Sequence, residues 1–357
     1  MPVQGFTRLR KHQFGRQAAF GTPHAASRAY PLSGVPDVDL AWTDQQVDTG
    51  ALITVAAPYR QAPTIGASLT MPTLCYNDLP LIFAAIFGGG EAGAGSPDVT
   101  WAWEPDMLAP DLPDLFTYEF GDDVTTDWFQ LSDGLLSSVV ITSPEEGAGA
   151  LTASLTWAFM NAASTGSTDS PVTGSVPTTG LAVDTDPTPV YIKDATIYID
   201  TTPSGIGGTP ISNALHNFVL TINGPLDQKR FANGTQSFGA DDVARVSYDI
   251  TIALQFAKTA DTVGTGSEAD AWFSDTTVAR YLKIAFESTR DADTATPYSW
   301  DFTMPMRYYT RSDGNIGGNS TVTLEGHAFY EPDTIEDAFA TTVVNTLLTH
   351  ELGANPS

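Results

Sequence analysis

The stretch ALTASLTWAFM, Ala150 to Met160, decides the fold class, because its apolar residues recur at every second position. Leu151, Ala153, Leu155, Trp157 and Phe159 fall on one face of an extended strand, and Thr152, Ser154 and Thr156 fall on the other. Such a strand buries one side and leaves the other to water. Similar alternation appears in TIGASLTM (Thr64 to Met71), LFTYEF (Leu115 to Phe120), SSVVITS (Ser137 to Ser143), DATIYID (Asp194 to Asp200), NFVLTING (Asn217 to Gly224), VSYDITIALQFA (Val246 to Ala257), YSWDFTMPM (Tyr298 to Met306) and STVTLEGHAFY (Ser320 to Tyr330). Gly, Asp, Asn or Pro separates these runs. The pattern predicts a mainly β chain of antiparallel sheets packed as a sandwich or barrel.

YNDLPLIFAAIFGGG, Tyr76 to Gly90, departs from that pattern. Asn77 or Asp78 can cap a helix, Pro80 suits its first turn, and Gly88 to Gly90 end it. Leu79, Ile82, Phe83 and Ile86 share one helical face, which must lie against a sheet or against a neighbouring subunit. A second helix is expected in DTTVARYLKIAFES, Asp275 to Ser288, with Val278, Tyr281, Leu282 and Ala285 on the matching face.

The chain has 357 residues and a net charge of −26, from 42 acidic and 16 basic residues. Asp outnumbers Glu 31 to 11, and only five lysines occur. A surface this acidic repels nucleic acid and membranes. It suits a wall past which a polyanion slides, a host with a salty interior, or plain solubility. Before the first acid, Asp37, stand Arg8, Arg10, Lys11, Arg16 and Arg28, so the start reads either as a basic arm for a neighbouring copy or as a solvated terminus. The longest purely apolar run is Leu81 to Phe87, and neither a secretory signal nor a membrane span is expected. That places synthesis and first assembly in the cytoplasm.

Between Met160 and Thr188 the composition turns to Ser, Thr, Gly, Pro and Asp, which predicts a linker or long surface loop. It divides the chain into 1–160 and 189–357, with 161–188 between them. FGTP (Phe20 to Pro23) returns as GGTP (Gly207 to Pro210), the first helix candidate returns as the second, and SDG at Ser132 returns at Ser312. Three matches in one order predict a duplicated domain, each unit with one flanking short helix.

Catalytic signatures are sparse. The five histidines show no HExxH or HxH spacing, and the single cysteine, Cys75, reads as a small buried hydrophobe. No nucleophile elbow, P-loop or dinucleotide fingerprint occurs, so no catalytic, cofactor or metal residue is assigned. The acidic runs GDDVTTDW (Gly121 to Trp128) and STRDADTATPYSWD (Ser288 to Asp301) read as solvated loops, although Ca²⁺ binding or glycoside cleavage would use similar groups.

The opening FTRLRKHQFGRQAAFGTPHAA, the helix ending in glycines, the run DATIYIDTTPSGIGGTPISNALHNFVLTINGPLDQKRFANGTQSF and the terminal TVTLEGHAFYEPDTIEDAFATTVVNTLL together resemble the major tail tube protein of long-tailed phages and tailed archaeal viruses. The resemblance spans nearly the whole chain. It implies a virion structural protein whose rings stack into a tail tube around a tape-measure protein, between a terminator and the baseplate or tip proteins. Viral DNA would pass through an acidic lumen during ejection. It implies ring and stacking contacts by Arg8, Arg10, Lys11 and Arg16, and by Leu79, Ile82, Phe83, Ile86, Tyr281 and Leu282 at the subunit seam. The chain is longer than one tube unit requires. Two units per chain imply trimeric, pseudo-hexameric rings, and extra loops or an outer domain imply hexameric ones. The Asp excess suggests a halophilic archaeal host or a high-GC bacterial one. A second expectation is a secreted or virion-surface adhesin that stacks glycans on Trp101, Trp103 and Trp128, and a glycosidase ranks third.

Overall fold

The computed structural model describes residues 10–39, 42–46, 55–60, 64–89, 91–92, 99–105, 113–122, 127–144, 149–164, 180–182, 187–211, 214–228, 243–245, 247–259, 262, 279–293, 295–330 and 338–347. The chain is mainly β and antiparallel. Its first strands are β1 (Arg10–Arg16), β2 (Arg28–Tyr30), β3 (Ser33–Asp39), β4 (Trp42–Gln46), β5 (Val55–Arg60) and β6 (Thr64–Met71), followed by helix α1 (Leu79–Phe87). Next come β7 (Glu91–Ala92), β8 (Val99–Trp103), β9 (Phe116–Asp122), β10 (Asp127–Thr142), β11 (Thr152–Phe159) and β12 (Asn161–Ser164). The remainder holds β13 (Ala195–Asp200), β14 (Leu215–Asn223), β15 (Leu226–Gln228), β16 (Val243–Arg245), β17 (Asp249–Ala257), β18 (Arg280–Asp293), β19 (Thr296–Ile316), β20 (Asn319–Ala328) and β21 (Ala340–Asn345).

The strands build a barrel-like sandwich. One large sheet runs β3-β6-β11-β10-β14-β17-β20-β19. Two smaller sheets cover its inner face, β2-β1-β9-β10-β12 on one side and β13-β18-β19-β21-β8-β7 on the other. β10 and β19 are long enough to bend and serve a large and a small sheet in turn. Phe14 of β1 packs on Trp157 of β11 with centroids 5.0 Å apart, and Phe218 of β14 touches both Phe286 and Phe302. A single apolar core therefore runs through both halves of the chain.

The bend in β10 is built around Asp133, whose φ of 54° lies in the left-handed region. Its buried carboxylate accepts hydrogen bonds from the Gly21 amide and Asn161 Nδ2, both at 2.7 Å, while its own amide donates to Gln17 Oε1 at 2.7 Å. Gly134 follows because a Cβ there would stand 2.4 Å from the Phe159 ring. These bonds offset the backbone cost of the corner.

Helix α1 forms where the apolar run predicted it, with Pro80 in its first turn and Gly88 at φ 74° ending it. All nine residues are buried, so it is a core helix and not a one-faced amphipathic one. No side chain caps it. Asp78 instead lies 3.4 Å from Arg28, and Arg28 donates to the Asn77 carbonyl at 2.7 Å. Phe83 touches Trp103, Trp300 and Phe339, and the Tyr248 hydroxyl donates to the Ile86 carbonyl at 3.2 Å. The helix thus fills the junction between the two halves.

The second predicted helix is corrected. From Arg280 onward DTTVARYLKIAFES is strand β18, and the residues before Ala279 lie outside the described ones. Leu282, Ile284 and Phe286 also alternate, and pairing with β13 and β19 selects that period over the helical one. Of the expected linker, Asn161–Ser164 is β12, and the Gly180 carbonyl and Leu181 amide bond to Lys11 and Gln13; most of it lies outside the described residues.

Candidate functional site

Traced strand by strand, the large sheet begins at β3 and ends at the second half of β19. Among the described residues neither has a strand on its outer side. A strand edge presents unpaired amides and carbonyls, which template the addition of another chain. The two large apolar side chains most exposed among the described residues sit on these two strands: Val35 at 54 % on β3 and Tyr309 at 50 % on β19. Exposed edges usually carry protection, and both do. Pro36 removes one donor from β3, and on β19 the charged groups Arg311, Asp313 and Lys258 gather at 3.0 to 3.5 Å.

The free face of the large sheet is coated mainly with hydroxyls. One row across all eight strands reads Ser33, Thr70, Ser154, Val140, Thr221, Thr251, His327 and Arg307. The next reads Val35, Ser68, Thr156, Ser138, Asn223 and Asp249, with Ser138 Oγ donating to Asn223 at 2.8 Å. Among the described residues carboxylates are few on this face. Asp249 faces His327 at 3.4 Å, and the Tyr309 ring lies 4.1 Å from the His327 ring.

Strand order repeats along the chain. The first half of the large sheet runs β3-β6-β11-β10 and the second runs β14-β17-β20-β19, each in the same chain-order sequence. A β hairpin follows the leading strand in both, β4–β5 and β15–β16. The register shifts match as well. β10 bulges against β11 between Leu136 and Ser138, and β19 bulges against β20 between Tyr308 and Thr310. Two of the three sequence matches do not map this way. The SDG at Ser132 marks the bend of β10, the SDG at Ser312 lies well past the bend of β19, and the second helix candidate is a strand.

The predicted contact residues lie elsewhere than expected. Leu79, Ile82, Phe83 and Ile86 are fully buried inside this chain, and Leu282 and Tyr281 are buried in β18, so none offers a surface to a neighbour. Arg10, Lys11 and Arg16 belong to strand β1 and not to a free arm. Arg16 is buried against Asp114 at 2.6 Å, Lys11 donates to the Gly180 carbonyl at 3.0 Å, and exposed Arg10 stacks over Phe120 at 5.5 Å. Arg8 lies outside the described residues. Trp101, Trp103 and Trp128 are buried and cannot serve as glycan platforms. In β1, burial and the nearby Arg10 charge depress the His12 imidazole to about 4, with Nδ1 2.7 Å from the Tyr118 hydroxyl.

Among the described residues no group of three His, Cys, Asp or Glu side chains could hold a metal ion, and no helix is long and apolar enough to cross a membrane. No protein-family model matches the chain, and no curated protein matches it.

Proposed function

We propose that this chain is a structural subunit that closes into rings through the two open edges of its large sheet, and that the rings stack into a viral tail tube. The observation that carries the ring is the large sheet itself, which stops at two open strands in a chain whose own halves already join by such a pair, β10 with β14. Repeated strand order and coincident bulges support a duplicated unit, two per chain. Two like sets of four strands favour three chains per ring, a pseudo-hexamer; six chains would give twelve sets.

The tail assignment rests on the resemblance of the sequence to tail tube proteins. In that role the partners are further copies, a tape-measure protein, the terminator and the baseplate or tip, with DNA only in transit. The protein would assemble in the host cytoplasm and reside in the virion. If the free face of the sheet lines the lumen, its wall among the described residues is mainly hydroxyl, with Asp37, Asp249 and Glu325 among its acids, and gives phosphate little cationic hold.

Negative-stain electron microscopy at low and molar salt, with native mass on the same samples, tests this reading. Rings or hollow tubes are expected, and the mass of one ring counts its chains. Compact monomers at every salt and concentration would overturn it. High salt is expected to favour assembly, because it screens the repulsion of a −26 chain.

A further inference from the structure

We infer that β19 of one copy pairs antiparallel with β3 of the next in one defined register, with Thr310 facing Asp39, Ser312 facing Asp37 and Gly314 facing Val35 of the neighbouring copy. This rests on the ring reading above and specifies its contact residue by residue.

The register comes from the junction that the chain has already made. The coincident bulges equate Ser138 of β10 with Thr310 of β19, and hence Val140 with Ser312 and Thr142 with Gly314. The pairings then carry the equivalence across each half sheet. Val140 faces Ser154, Thr70 and Ser33 in turn, and Ser312 faces Thr323, Gln255 and Asn217. Ser33 therefore corresponds to Asn217, Val35 to Val219, Asp37 to Thr221 and Asp39 to Asn223. Inside the chain β10 pairs with β14 as Ser138 to Asn223, Val140 to Thr221 and Thr142 to Val219. Replacing each residue by its equivalent gives the register between copies.

Burial agrees with a missing neighbour. Val219 is half-buried beside β10, and its equivalent Val35 is 54 % exposed with no strand beyond it among the described residues. Tyr309, the exposed residue within the β19 bulge, corresponds to Ser137, which bonds back to the Thr156 carbonyl at 2.8 Å. A second copy is the occupant favoured here because the chain's own β14 already shows what a strand equivalent to β3 does beside a strand equivalent to β19.

Cysteine cross-linking tests the register. Facing residues in an antiparallel pair have Cα atoms about 4.5 to 5.5 Å apart, within disulfide range. The one native cysteine, Cys75, is buried, which keeps the background low. The double variant Ser312→Cys with Asp37→Cys should give covalent oligomers on oxidation. Thr310→Cys with Val35→Cys, displaced by four residues or about 13 Å, should give about tenfold less. Native mass is recorded first on both variants. Oligomers that cross-link equally in both, or only in the displaced one, overturn the register while leaving ring assembly standing. An absence of oligomers at any salt, in the variants and the parent chain, overturns the ring reading and the register with it.

Discussion

The second halves of β10 and β19 occupy equivalent places and meet opposite fates. The second half of β10 has β11 on one side and β14 on the other, whereas among the described residues that of β19 has only β20. Their inward positions differ accordingly. Val139 and Ile141 of β10 are fully buried, and the equivalent residues of β19 are Arg311 and Asp313. A closed junction can be apolar, whereas an open strand edge carries charge that keeps it from pairing indiscriminately. The same strand position is thus apolar where a strand lies beside it and charged where, among the described residues, none does.

The largest expected effect comes from giving the closed junction the chemistry of the open one. Ile141→Asp buries an unpaired carboxylate and should cost more than about 4 kcal/mol, read as loss of the folded state in urea titration. The reverse change, Asp313→Ile, should fold normally and associate more strongly, as measured by sedimentation. If Asp313→Ile unfolds the chain, the two strands are not opposed in the way described.

Arg16 and Arg10 sharpen the comparison within β1. Arg16→Ala removes the 2.6 Å ion pair to half-buried Asp114 and should cost about 1.5 to 3 kcal/mol, whereas Arg10→Ala, at an exposed site, should stay within about 0.5 kcal/mol. Thermal melts of the two variants decide this. An arm that serves only neighbouring rings would give equal and negligible shifts.

Asp133, the one non-glycine residue with a positive φ among the described residues, tests the corner in β10. Asp133→Ala strands the Gly21 amide and Asn161 Nδ2 and should lower stability by about 2 to 3 kcal/mol, while Met306→Leu at the β19 bend should cost less than about 1.5 kcal/mol.

A smaller effect belongs to His12. Its folded value near 4 lies below the unfolded value of 6.5, so the unfolded chain binds the proton first as pH falls. Stability is full above pH 6.5 and declines between 6.5 and 4, by roughly 3 kcal/mol in all. His12→Gln should flatten that part of the stability profile. An unchanged slope would show that other groups carry it.

The sequence made the β class and α1 legible, because long alternation and one apolar run between Pro80 and Gly88 each point to a single period. It hid β18, since Tyr281, Leu282 and Ala285 satisfy a helical spacing while Leu282, Ile284 and Phe286 satisfy a strand spacing. Only pairing with β13 and β19 chooses between them. The open edges were hidden for a different reason. SGVPDVD and RYYTRSDGNI lack clean alternation because edges carry Pro and charge where central strands carry Val and Ile. Charge along the first residues suggested an arm, yet burial of Arg16 depends on Asp114, a residue far away in sequence. The FGTP and GGTP match lies in the loops leading toward β3 and β14, whereas the coincident bulges between Leu136 and Ser138 and between Tyr308 and Thr310 have no counterpart signal in the sequence.

Amide hydrogen exchange on dilute and concentrated protein, with native mass recorded alongside, tests the central claim most directly. β10 and β14 should be protected in both samples, while Ser33–Asp39 and Arg307–Ile316 should exchange rapidly in the monomer and slow together on assembly. Assembly with those two segments still exchanging as fast as in the monomer would contradict it, because the copies would then be meeting through some other surface.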